Sequence, residues 1–168
     1  RAAQNPTMDF ALHGHGAASE WARRASPGDA AVVGGPRGSM IIPADYDWHL
    51  LAGDASALPA IHRRLEELPS GTRAIVLVHV PDAQDVREMP SAAQCEIQWV
   101  HSDADWLSAL AALKLPAGEG FAWCAGEARL MPQARDIVLQ RHGVPRESAR
   151  VAAYWKQGAT EFHERLEG

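Results

Sequence analysis

Cysteine is nearly absent from this chain, which has two, Cys95 and Cys124, among 168 residues. Two such residues give neither a disulfide framework nor the paired spacing of a zinc site, and this usage is typical of a reducing cytoplasm. Apolar runs of about 18 residues, the length that a membrane-spanning helix needs, are also missing. The N-terminal segment RAAQNPTMDF has no apolar core of the kind found in signal peptides. The sequence therefore predicts a cytoplasmic protein without a membrane span.

Basic stretches are equally scarce. The chain has 16 Lys and Arg against 21 Asp and Glu, a net charge of −5, which argues against a general nucleic-acid-binding protein. Its eight His are scattered without ligand spacing, so no metal site is expected. There is no internal repeat. Hydrophobic residues make up 46%, enough for the core of one domain, or of a domain and a remnant of a second.

The hydrophobic pattern changes near residue 45. Before it, we expect strands at Met8–Leu12 and Ala30–Val33 on either side of a helix at Ala17–Ala25. After it, strands and helices alternate. The predicted strands are Trp48–Leu51, Ala74–Val80, Glu96–His101, Phe121–Cys124 and Val151–Tyr154. The predicted helices are Ala57–Leu68, Asp103–Leu113, Ala128–His142 and Ala159–Leu166.

Near-continuous apolar strands such as AIVLV, residues 74–78, are typical of a parallel sheet covered on both faces. With right-handed crossovers, the alternation predicts a doubly wound α/β domain that binds ligands at the carboxyl ends of its strands.

Residues 51–61, LAGDASALPAI, join the first of these strands to its helix. We predict a turn at Gly53 and Asp54, an N-cap at Ser56, and Pro59 in the first helical turn, where its missing N–H is not needed. The free N–H groups at such a helix start suit a pyrophosphate. A plain strand-to-helix connection has the same geometry, so the exact residues matter more than the pattern.

Those residues resemble the Gly-Asp-Glu-Thr-Ala-Leu-Pro-Ala-Ile signature of the siderophore-interacting proteins, flavin-dependent ferric-siderophore reductases of the ferredoxin-reductase-like group. Further similarities follow in the order that the family has. They are DFALHG (9–14), GAASEWA (16–22), PGD (27–29), GPRGS (35–39), DWHLLAGD (47–54), AWCAGEA (122–128) and YWKQG (154–158).

The resemblance implies two domains. Family members carry a flavin-binding β-barrel of roughly 100 residues before the nucleotide domain. We therefore expect residues 1–45 to be the C-terminal remnant of this barrel and residues 46–168 to be the NAD(P)H-binding α/β domain. The family's flavin motif, Arg-x-Tyr-Thr-x-Arg or close to it, would end at Arg1. The chain is thus expected to be a fragment, and its FAD binding to need the missing barrel.

The resemblance also implies site residues. Those expected at the FAD pyrophosphate are Gly14, Gly16, Ala17, Ala18 and Ser19. Those expected at the NADPH pyrophosphate are Gly53, Asp54, Ser56 and Ala57, and those near the nicotinamide are Ala125, Gly126 and Glu127. Alternative interpretations stay open: Asp54 and Glu127 also suit helix-capping carboxylates, and Ser19 a simple helix cap.

Departures from the family pattern bear on the choice of nucleotide. The signature's Glu and Thr are Ala55 and Ser56 here. Ser102 stands where the family often has Arg, a natural partner for the 2′-phosphate of NADPH. His79 stands where the family often has Glu, so a carboxylate that would favour NADH is missing too. NADPH is the expected nucleotide, with NADH possible.

The function implied is hydride transfer from NAD(P)H to FAD, followed by electron transfer to Fe(III) in a siderophore. Catecholate siderophores are anionic, so a basic substrate mouth is expected. Lys156 is the first candidate and Arg37 the second, although either fits a solvated surface charge. The alternative from another class is a non-catalytic siderophore- or nucleotide-binding module without a working flavin site.

Overall fold

Helices and strands alternate along most of the chain in the computed structural model, which describes Met8, Phe10, Leu12, residues 17–32, Gly34 and residues 41–159. In chain order the α-helices and strands are α1 (Ala17–Arg24), β1 (Trp48–Asp54), α2 (Leu58–Glu67), β2 (Arg73–His79), β3 (Gln94–Val100), α3 (Asp103–Ala112), β4 (Gly120–Glu127), α4 (Met131–Asp136) and β5 (Ala149–Trp155). A π-helical turn, Ile137–Arg141, continues α4, and short 3₁₀ turns lie at Ala83–Asp85 and Arg146–Ser148.

The strands form one sheet in the order β3-β2-β1-β4-β5, and every neighbouring pair is parallel. Strand β1 lies at the centre, where Leu51 is in register with Val76 of β2 and with Trp123 of β4. Parallel strands put all their carboxyl ends at one edge of the sheet, called the carboxyl edge below. The predicted doubly wound α/β domain is confirmed.

Side chains of β1 alternate between two hydrophobic layers, as period-2 geometry requires. Leu50 packs in one cluster with Trp106 of α3 and Met131 of α4. Leu51 packs in the other with Ile61 of α2. Helices therefore cover both faces, which explains why the central strands are apolar without interruption.

Strands β1 and β4 continue beyond the ends that the sequence predicted. The ladder of β1 continues through Asp54, in register with His79, and β4 continues to Glu127. The predicted turn at Gly53 and Asp54 is therefore wrong, and the turn begins at Ala55. Neighbours on both sides of β1 hold the strand in place, and such a constraint is invisible to a local turn signal.

Other boundaries also differ. The strand predicted at Ala30–Val33 is wrong for residues 30–32, which lie in no strand, and Val32 is 99% exposed. Met8, Phe10 and Leu12 also lie in no strand. The helix predicted from Ala128 begins at Met131, after a turn at residues 128–130. The helix expected after Ala159 lies outside the described residues, and α1 is confirmed at Ala17–Arg24.

His49 is an exception within the apolar centre of β1. The residue is 0% exposed, and neither ring nitrogen has a hydrogen-bond partner. Its ring meets Tyr46 edge-on, with 5.8 Å between the ring centroids. Burial, followed by the charge of Arg64, lowers the pKa of His49 from 6.5 to about 4. The histidine is therefore held as a neutral, unpaired imidazole at neutral pH.

Among the described residues, no helix combines the length and apolar character that crossing a bilayer requires.

Candidate functional site

The sheet order brings the ends of β1, β4 and β5 together at the carboxyl edge. Gly53 of β1 is in register with Ala125 of β4, and Glu127 of β4 with Trp155 of β5. Residues that lie up to 101 positions apart in sequence thus become neighbours. Most of the predicted nucleotide-contacting residues lie at this edge.

Asp54 is the centre of a hydrogen-bond cluster there. Its Oδ1 accepts from the backbone N–H of Ser56 at 2.9 Å and from the Ser56 hydroxyl at 2.5 Å. Its Oδ2 accepts from the N–H of Glu127 at 2.9 Å and from the indole Nε1 of Trp155 at 2.8 Å. The carboxylate therefore ties the start of the β1–α2 turn to the ends of β4 and β5.

Ser56 is not the N-cap of α2, so that prediction is wrong. The capping position is Ala57, which has no side chain able to cap. The Ser56 hydroxyl is instead turned back to Asp54, two residues earlier, where the backbone forms an Asx-type turn. Pro59 does lie in the first helical turn, as predicted.

Few backbone donors remain at the start of α2. The N–H of Ser56 goes to Asp54 Oδ1, that of Ala57 to the Asp54 carbonyl, and that of Leu58 to the Ala55 carbonyl. Pro59 has no N–H. Within residues 56–60 of the described chain, only Ala60 keeps an N–H without a partner. An anion bound at the start of α2 could therefore accept a backbone hydrogen bond, among residues 56–60, only from the N–H of Ala60.

The two glycines of the edge are explained by packing. A Cβ on Gly53 would overlap the carbonyl oxygen of Ala125 and lie 2.5 Å from the Cβ of Ala57. A Cβ on Gly126 would lie 2.6 Å from Asp54 Oδ2. Gly53 thus lets α2 and β4 approach the centre of the sheet, and Gly126 makes room for the Asp54 carboxylate.

Glu127 is the other carboxylate of this edge, and it is buried, 5% exposed. Its Oε2 accepts from the backbone N–H of Arg129 at 2.8 Å and lies 3.4 Å from the Arg129 Nε. Its Oε1 accepts from the backbone N–H of Gln157 at 3.2 Å. Glu127 therefore holds the turn after β4 and the segment after β5. It is not the cap of α4, whose capping residue Leu130 has no side-chain hydrogen bond, so the helix-cap interpretation is wrong.

Arg129, which the sequence did not single out, joins a second cluster toward β2. Its Nη2 lies 2.7 Å from Asp103 Oδ2, and the other oxygen of Asp103 lies 3.3 Å from His79 Nδ1. Ser102 caps α3 by accepting from the N–H of Asp105 at 3.1 Å. The Arg129 side chain is 62% exposed, so the part of its guanidinium that does not face Asp103 or Glu127 is accessible from solvent.

Lys156 follows β5 directly and is exposed. Its carbonyl accepts from the N–H of Ala159 at 3.1 Å, across a turn in which Gly158 has a φ of +81°. In the described part of the chain its ammonium group has no ion-pair partner. The lysine therefore presents a free positive charge at the carboxyl edge.

The flavin-side candidates are described only in part. Ala17 and Ala18 open α1 and are exposed, whereas Ser19 is 5% exposed inside the first turn and is not a cap. The first N–H groups of this helix have no partner within the helix, which suits an anion beside the two alanines. Gly14, Gly16 and Arg37 lie outside the described residues.

Cys124 lies in the core of β4 and is 0% exposed. Burial raises the pKa of its thiol to about 12. Cys124 therefore packs as a small buried residue. Among the described residues, no three His, Cys, Asp or Glu side chains converge as a metal site.

Two protein-family models match this chain. The model of the siderophore-interacting protein family matches residues 46–158, and the model of the siderophore-interacting FAD-binding domain matches residues 1–40. The chain belongs to the siderophore-interacting protein family. The resemblance inferred from the sequence is therefore confirmed.

Two relatives in this family are named as ferric reductases. The NADPH-dependent ferric-chelate reductase of Escherichia coli K12 is 35% identical over 153 residues, which are 88% of this chain and 59% of that protein. The ferric vibriobactin reductase ViuB of Vibrio cholerae is 33% identical over 167 residues, 94% of this chain and 62% of ViuB. The chain thus spans about 60% of the length of these family members.

A solved family structure supports the fold. The siderophore utilization protein from T. fusca superposes with a TM-score of 0.82 at 34% identity, over 92% of this chain and 61% of that chain. The α/β sheet described above is therefore the family's fold.

Proposed function

We propose that this protein is a ferric-siderophore reductase that uses NAD(P)H and FAD. The main support is that one chain matches both domain models of the family and has relatives named as ferric reductases. Bound FAD would supply the redox chemistry, accepting a hydride from the nicotinamide and returning its two electrons to two Fe(III) chelates. Hard oxygen ligands hold Fe(II) less tightly than Fe(III), so reduction would free the metal.

The residues present at the carboxyl edge fit an anionic nucleotide. The Ala60 N–H lies at the start of α2, and the Arg129 guanidinium is exposed beside β4. We assign the NAD(P)H phosphates to these two groups. The loop is then held in shape, without direct bonds to the phosphates, by Gly53, Asp54, Ser56 and Ala57. Their donors and acceptors are used within the protein.

The remaining assignments follow the family. Ala125, Gly126 and Glu127 would border the nicotinamide, and Ala17, Ala18 and Ser19, with Gly14 and Gly16, the FAD pyrophosphate. Lys156 would attract an anionic ferric siderophore, with Arg37 as the second basic candidate. A domain boundary between residues 45 and 46 and a cytoplasmic location stay predictions.

The function is tested on the protein expressed with whatever precedes Arg1 in its natural reading frame, called the full-length protein below. Purified without added flavin, it is expected to be yellow. Anaerobic NADPH should bleach the flavin absorbance, and a ferric tris-catecholate should restore it while a ferrous-chelating dye records two Fe(II) per NADPH. Binding of the chelate by a colourless protein that NADPH does not bleach would contradict this proposal and support the non-catalytic module.

Ala60→Asp is expected to weaken NADPH binding by about tenfold, because a carboxylate beside the phosphates repels them. The helix itself should tolerate the change, since an acidic residue in the first turn complements the helix dipole. The measurement is the NADPH dissociation constant of folded full-length protein at low salt.

Lys114→Gln is the matched control for this variant. It changes the net charge by the same amount as Ala60→Asp. Lys114 lies in the exposed connection between α3 and β4, at the amino ends of the strands and away from the carboxyl edge. The affinity of this variant for NADPH should equal that of the parent protein. If Ala60→Asp also binds NADPH normally, the phosphates do not lie at the start of α2.

A further inference from the structure

The segment that carries Lys156 is fixed on both sides. Trp155, just before the lysine, accepts a hydrogen bond at its carbonyl from the N–H of Ala128 at 2.8 Å and donates its indole N–H to Asp54 at 2.8 Å. Gln157, just after it, donates its N–H to Glu127 at 3.2 Å. The backbone beneath the ammonium group is therefore attached to the ends of β1 and β4.

Two of these hydrogen bonds involve carboxylates that are shielded from water to different degrees. Glu127 is 5% exposed, and Asp54 is half-buried. Hydrogen bonds from N–H groups to ionised carboxylates are about twice as strong as those between neutral groups, and partial burial strengthens them further. The segment 155–157 is thus held more firmly than an ordinary strand end.

Asp54 has no acceptor site left for a ligand. A carboxylate offers about four lone-pair sites, and this one already accepts from two donors of Ser56, from Glu127 and from Trp155. A ribose hydroxyl could be bound only by breaking one of these bonds. Any effect of Asp54 on the reaction must therefore pass through the groups that it holds.

We propose that Trp155, Asp54 and Glu127 are positioning residues that fix Lys156 at the carboxyl edge, where it recognises anionic ferric chelates. This inference rests on the proposed function, because it gives the lysine its substrate. A free lysine gains little from a charged partner, since ordering its side chain and backbone offsets the attraction. Fixing its backbone in advance reduces that cost of binding.

The test uses Trp155→Phe, which keeps an aromatic ring and removes the N–H that Asp54 accepts. The probe is the gallium(III) complex of a hexadentate tris-catecholate, a trianion that cannot be reduced, titrated calorimetrically into the full-length protein. Trp155→Phe is expected to weaken probe binding about threefold at low salt, and 0.5 M NaCl should abolish the difference.

Two control experiments distinguish the loss of Lys156 positioning from a general loss of rigidity in the protein. Trp48→Phe removes a similar indole hydrogen bond, to the Gly118 carbonyl at 3.3 Å, at the amino ends of the strands. This variant should leave probe affinity unchanged. In a Lys156→Met background, Trp155→Phe should add no further weakening, because the charge that it positions is gone. Asp54→Asn tests the other end of the same bond if Trp155→Phe does not fold.

The inference would be overturned by parental affinity in Trp155→Phe, by an equal loss in Trp48→Phe, or by a full effect of Trp155→Phe without Lys156. Parent protein that does not bind the probe at all would overturn it too. Because the probe is inert to reduction, its binding is independent of the flavin assay. Protein that binds gallium chelate as described but fails to reduce the ferric one contradicts the proposed function alone.

Discussion

Gly53→Ala is expected to destabilise the protein by at least about 3 kcal/mol, the upper end of the usual cost of overpacking. The added methyl group would overlap the backbone carbonyl of Ala125 on β4 and lie 2.5 Å from the Cβ of Ala57. Neither atom belongs to a side chain that can rotate away. The strand at the centre of the sheet must therefore shift, and both layers of the core must adjust with it.

Urea unfolding of the parent and the variant measures this difference in the free energy of unfolding. Gly34→Ala is the matched control, since a Cβ there meets nothing within 4 Å, and it should unfold like the parent. Equal stability of Gly53→Ala and Gly34→Ala would contradict the packing explanation. A loss of nucleotide binding in any Gly53 variant must accordingly be compared with its stability before it is assigned to the ligand.

His49 is expected to make the protein sensitive to acid between about pH 6.5 and pH 4. The pKa of this histidine is lowered to about 4 in the folded protein by burial and then by Arg64, whereas the unfolded chain takes up a proton near 6.5. Within that window the unfolded state binds more protons, so stability falls as pH falls. The linkage relation gives a loss on the order of 3 kcal/mol at pH 4, with full stability restored above 6.5.

His49→Phe should remove this pH dependence and stabilise the protein at pH 7 by about 1–2 kcal/mol. The phenyl ring occupies similar space beside Tyr46, and two buried nitrogens without partners disappear with the imidazole. The measurement is the free energy of unfolding of both proteins at pH 7 and pH 4.5. A pH slope that is the same in both proteins would show that His49 is not its source.

The sequence predicted the architecture well because the strands are buried on both faces. A short apolar run such as residues 74–78 predicts a strand covered on both faces, and β2 does lie at Arg73–His79. The ends of the strands were predicted less well than their centres. Gly53 gives a turn signal locally, but its lack of a side chain serves the contact with Ala125, about 70 residues away.

The candidate site was predicted in location and only partly in chemistry. Resemblance placed Asp54 and Glu127 at the carboxyl edge, which is where they lie. It gave no sign that Trp155 donates to Asp54, because hydrogen bonds across 101 residues leave no local pattern. Arg129, in the turn after β4, was missed for the same reason: its partner Asp103 is on α3. The unpaired His49 did leave a signal, a single titratable residue inside an apolar strand.

The bond between Trp155 and Asp54 also has a consequence for how the chain assembles. Among the described residues, strand β5 has one neighbour, β4, and is the last strand in chain order. Contacts between distant residues form late, since a long loop must close before they stabilise anything. Asp54 is thus synthesised before β5 but receives its indole donor only when β5 docks. The docking of one edge strand completes the carboxyl edge and fixes Lys156 in the same event.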